Sequence, residues 1–140
     1  MLGTRRHDLE SWSVDTLREI AKAREMLVHW LGELSHYAEG PGAGQPESEK
    51  ALCECSRMVV VAGETLDNLT RIFTRWADRP VPEGAWDITT AAETDRLLEL
   101  AARSVTSPPY ATNCQTRLAY VRRMWPRWCP AFDPQPVPAP

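Results

Sequence analysis

The chain has no run of about 18 apolar residues, the length a membrane-crossing helix requires. Its opening residues, MLGTRRHDLESW, lack the apolar stretch of a secretory signal. These two absences set the expectation of a cytoplasmic protein without membrane contact. Lysine is scarce, with 2 residues against 14 arginines. Such a bias accompanies a GC-rich bacterial or phage genome and implies no mechanism. A global basic field is missing as well, because the formal net charge is −3. Long-range attraction of nucleic acid to the whole molecule is therefore excluded.

Catalytic signatures are absent too. The glycine-rich string GPGAGQ follows a helical pattern, not a strand, and no Lys-Ser or Lys-Thr comes after it. It is not a phosphate-binding loop. No Gly-x-Ser-x-Gly elbow occurs. No internal repeat is found, and the prolines at 134, 136, 138 and 140 never stand three apart, so a PxxP ligand is missing. The expectation is a protein that is not an enzyme, with no catalytic residue, no cofactor and no metal.

What is present is ordinary globular material. Hydrophobic residues make up 43% and charged residues 25% of 140 residues. That is enough for one domain with its own core, without disulfides or metals. Four cysteines in a cytoplasmic chain are expected to be reduced and mostly buried.

Apolar residues at intervals of three and four mark helices throughout. Helix 1 is expected over about 14–38, with Ser13 as its N-cap and a stripe of Leu17, Ile20, Leu27, Leu31, Leu34 and Ala38 broken by Arg24. Gly40-Pro41 stops it. Helix 2, about 46–78, opens with Pro46, Glu47 and Glu49. Its seam of Leu52, Cys55, Val59, Ala62, Leu66, Leu69, Phe73 and Trp76 is the strongest pattern in the chain. Cys53, Met58, Val60 and Val61 lie off that seam and call for a second neighbour. Helix 3 begins at the capping pattern Thr90-Ala-Ala-Glu93 and ends before Pro108. Helix 4 covers about 110–125, where Pro126 should kink or end it.

These elements predict an all-α fold, a single-domain four-helix antiparallel bundle with one long helix. Residues 1–12 are expected to form a flexible arm, 13–128 the helical domain and 129–140 a proline-rich extended tail. A homodimer is the natural elaboration, since helix 2 has surplus length and apolar width.

Three constellations could carry function. His29, Glu33 and His36 have spacing suited to a metal-dependent bundle enzyme. On the helix 1 heptad, however, all three fall farthest from the seam. Cys53-x-Cys55 within a helix points its thiols about 200° apart, so they cannot grip one ion. The third is the C-terminal string holding Arg117, Arg122, Arg123, Trp125, Arg127 and Trp128. Residues 103–132 carry five arginines and no acid, whereas residues 33–102 carry 13 acids and 6 bases. Arginine and tryptophan are enriched in protein-interface hot spots and also suit phosphates and bases. The competing reading is that both tryptophans close the core while the arginines pair with the acidic middle of the chain.

The function expected from these features is a non-enzymatic helical protein-binding module. It would act as an adaptor, immunity protein or phage-type inhibitor by masking or bridging a macromolecular partner. A nucleic-acid-binding regulator using the C-terminal arginines is the alternative.

Overall fold

The computed structural model describes residues 2–40, 45–81 and 91–129. Among the described residues four helices form an all-α bundle: α1 (Leu2–Glu39), α2 (Pro46–Ala77), α3 (Ala91–Ser104) and α4 (Pro108–Trp128). None of them is long and apolar enough to cross a membrane. The GPGAGQ turn, the Thr90 cap and the proline-rich tail fall wholly or mostly outside the described residues.

Consecutive helices run antiparallel. Trp12, near the start of α1, stacks on Phe73, near the end of α2, with ring centroids 6.2 Å apart. Asp95 at the start of α3 meets Arg122 late in α4 at 2.7 Å. In consequence α2 and α4 lie side by side and run in the same direction. Glu49 reaches Thr106 and Ser107 at one end, and Asp67 reaches Arg127 toward the other. Around the bundle the order is α1, α2, α4, α3.

The expected stripes form the core. Leu27 and Leu34 of α1, Leu52, Val59 and Leu66 of α2, Leu98 of α3, and Leu118 and Val121 of α4 are fully buried. Each such side chain contributes roughly 1.5–3 kcal/mol by leaving water. A helix cap contributes about 1 kcal/mol, so packing of the stripes sets the architecture and caps set the ends.

Several local expectations need correction. α1 begins at Leu2, well before Val14. Ser13 is an interior residue whose hydroxyl donates to the Leu9 carbonyl at 2.8 Å. Farther along α1, Trp12 packs on Phe73 of α2, an anchor that local propensity does not reveal. Pro126 does not end α4, which continues to Trp128. Trp76, the last seam residue of α2, is 62% exposed and not in the core. By that level α4 has finished: Trp128 packs at Gly63 and Arg127 at Asp67. The last turns of α2 keep only their α1-facing side covered.

Two contacts seat α4. At its start, Ser107 occupies the N-cap position without a side-chain cap bond of its own. Glu49 supplies the cap instead. Its buried carboxylate accepts from the Thr106 N–H at 2.7 Å, from the Ser107 N–H at 3.3 Å and from the Ser107 hydroxyl. The start of α4 carries the positive end of a helix dipole, which favours the carboxylate. At the far end, the six-membered ring of Trp128 lies directly on Gly63, where any Cβ would overlap it.

Two outcomes follow for stability. Gly63→Ala forces the indole off α2 and lowers stability by about 1–3 kcal/mol in urea unfolding, the usual cost of overpacking. The Glu49 carboxyl is held below its ordinary value of 4.5, first by the Ser107 hydroxyl and then by the Thr106 N–H. A lowered folded value means that its contribution is complete above pH 4.5 and lost as pH falls through the folded value. Glu49→Gln is thus expected to lower stability at neutral pH and to flatten the acid limb of the stability profile.

Candidate functional site

The C-terminal arginine and tryptophan segment turns inward. Trp125 and Trp128 are each 3% exposed. Both sit among core residues, and Tyr120 meets Trp128 edge-on at 5.9 Å. Among the described residues neither indole N–H finds a hydrogen-bond acceptor. These rings act through volume and flat faces, and their burial without a polar partner costs part of that gain. Neither can enter a partner's pocket while α4 is seated.

Its arginines are also engaged. The Arg122 guanidinium donates to both oxygens of Asp95, at 2.7 and 3.1 Å. Arg127 approaches Asp67 at 3.4 Å, and Arg71 holds the same carboxylate at 3.2 Å. Arg117 donates to the Cys53 carbonyl at 3.0 Å and to its sulfur at 3.3 Å. Arg123 lies over the Tyr120 ring at 5.4 Å. The six residues therefore do not form one outward constellation. Apart from Arg123, whose ring contact lies within α4, they fasten α4 to α2 and α3 or pack in the core.

A shallow groove of about 530 Å³ lies between α2 and α4, lined by Val60, Glu64, Arg117, Tyr120 and Arg123 among others. The Tyr120 hydroxyl donates to Glu64 at 2.8 Å across it. That hydrogen bond raises the phenol above its ordinary value. Val60 and Cys53, two of the four off-seam residues of α2, thus find their second neighbour in α4.

His29 and His36 are exposed and Glu33 is half-buried. Each histidine contacts the aromatic ring next to it in sequence, His29 on Trp30 at 4.9 Å and His36 on Tyr37 at 5.0 Å. Among the described residues no three His, Cys, Asp or Glu side chains converge as metal ligands would.

All four cysteines are free thiols. Burial pushes Cys55 and Cys114 up to about 11 and Cys129 up to about 12. Thiols so raised are poor nucleophiles at neutral pH. Only Cys53 is less than fully buried.

Among the described residues the exposed large apolar side chains lie on α1, at Leu9, Val14, Met26 and Val28, and on α2. Val61 is 44%, Ile72 46% and Trp76 62% exposed. At about 100° per residue these positions share one side of the helix, turned away from both α1 and α4. Arg75 and Arg79 stand beside them, over the rings of Trp76 and Phe73 at 5.8 and 5.4 Å. The signal was present in the off-seam residues Met58 and Val61. Placing Trp76 within the seam concealed the rest.

Thiol labelling of the native chain at mildly alkaline pH is expected to modify Cys53 first. Cys55, Cys114 and Cys129 should follow only as the fold opens, which a labelling time course in increasing urea would resolve. Comparison of the chain with protein-family models, with characterised proteins and with solved structures finds no match.

Proposed function

We propose that this chain is a non-enzymatic, cytoplasmic protein-binding module that masks or bridges a macromolecular partner, as adaptors, immunity proteins and phage-type inhibitors do. The supporting observation is the uncovered line of Val61, Ile72 and Trp76 on the outer side of α2. Single exposed apolar residues are common and need no explanation. An aligned set ending in a largely exposed tryptophan is different. Such patches, flanked by arginines, have the composition of interface hot spots. The binding surface in this reading is the outer face of α2, not the C-terminal segment, whose tryptophans are buried and whose arginines are engaged within the chain.

A photo-crosslinking residue in place of Trp76 tests the reading in cells. A discrete protein adduct is expected there. The same residue at Val28, exposed on α1, should give little or none. Loss of all protein adducts at position 76, together with nucleic-acid capture from position 123, would overturn the reading in favour of the nucleic-acid alternative.

A further inference from the structure

We infer that the end of α4, residues 124–129, is a latch that swings off α2 about a hinge made by Pro126 while the rest of the bundle stays folded, and so uncovers Trp125 and Trp128. The closed form is the ground state. The latch is separate from the outer face of α2 and stands whatever that face binds.

The hinge comes from proline chemistry. Pro126 lies inside α4. It has no N–H, so the Arg122 carbonyl one turn back loses its helical partner, and the proline ring crowds that same carbonyl. Helical bonding resumes beyond it, where the Cys129 N–H donates to the Trp125 carbonyl at 2.9 Å. The last turn therefore holds itself together and is weakly joined to the turn before.

The two sides of the hinge are fastened unequally. Before it, Cys114, Leu118 and Val121 are fully buried, Glu49 caps the start of α4, and Arg122 donates to both oxygens of Asp95. After it, the polar contact with α2 among the described residues is Arg127 to Asp67 at 3.4 Å. Arg71 holds the same carboxylate at 3.2 Å, so Asp67 keeps a cation when Arg127 leaves. Tyr120 likewise keeps its bond to Glu64 when Trp128 leaves.

The tryptophans supply the bias toward opening. Both indole N–H groups are buried without an acceptor among the described residues. Such orphaned donors are rare in folded proteins. Opening returns both to water, which offsets part of what the exposed rings lose. The large apolar area of two indoles keeps the closed form dominant. Opening of a helix end at a lower free energy than global unfolding is ordinary behaviour. Here it releases a segment of Trp125, Arg127 and Trp128, a composition suited to interfaces that the closed form hides.

Cys129, buried at the tip of the latch, reports the opening. Thiol labelling of the full chain under native conditions, resolved by site with peptide mass spectrometry, tests the inference. Cys129 is expected to label about tenfold or more faster than Cys55 and Cys114, at a rate that low urea barely changes. Pro126→Ala restores the missing N–H and should slow Cys129 more than Cys114. Gly63→Ala pushes the Trp128 ring away and should speed Cys129 more than Cys114. A Cys129 that labels no faster than Cys55 and Cys114, with the same urea dependence, means that the chain opens only as a whole and overturns the inference. So does a Pro126→Ala chain whose Cys129 labels as fast as the original.

Discussion

The seating of Trp128 on Gly63 is the contact from which most of this structure follows. The glycine offers no Cβ, so an indole ring can lie against the backbone of α2. That approach brings the last turn of α4 close enough for Trp125 to enter the core and for Arg127 to reach Asp67. It also determines where α4 stops along α2. Beyond that level α2 continues with only α1 beside it, and the two hold together through Trp12 and Phe73. The exposed outer face is thus the counterpart of a close contact on the inner one.

The opposite end of α4 is governed by electrostatics. Glu49 sits in the first turn of α2, where an acid favours the local helix dipole. Its side chain serves a different helix, accepting from the unpaired N–H groups at the start of α4. One carboxylate therefore joins two helix starts, which is feasible only because α2 and α4 run in the same direction. Between these two anchorages, Arg117 bonds to the Cys53 carbonyl and Tyr120 to Glu64. The cationic character of the C-terminal segment is largely used up in holding α4 to its neighbours. Charge that looks like a recognition surface in sequence becomes internal adhesive in the fold.

Much of the bundle is legible in residue spacing. Leu52, Val59, Leu66 and Phe73 repeat at steps that only a helix can bring to one side, and all are buried. The hidden parts have identifiable causes. Ser13 is a good N-cap by composition, yet α1 continues through it, and Trp12 packs on Phe73 of another helix. Trp76 continues the seam arithmetic perfectly but outlasts the helix that would cover it. Glu49 reads as a first-turn acid because nothing local shows that Thr106 and Ser107 will arrive beside it. In each case the deciding neighbour is more than fifty residues away in the chain.

By itself, then, the sequence determined that the chain is helical, which residues share a core-facing stripe and roughly where the helices begin and end, the start of α1 excepted. Those properties depend on periodicity and local backbone chemistry, which act over one or two turns. Only the tertiary structure decided which tryptophans are covered, which arginines are engaged and which side of α2 is left bare. Those depend on relative helix lengths and on one close approach at a glycine, quantities that no single segment contains.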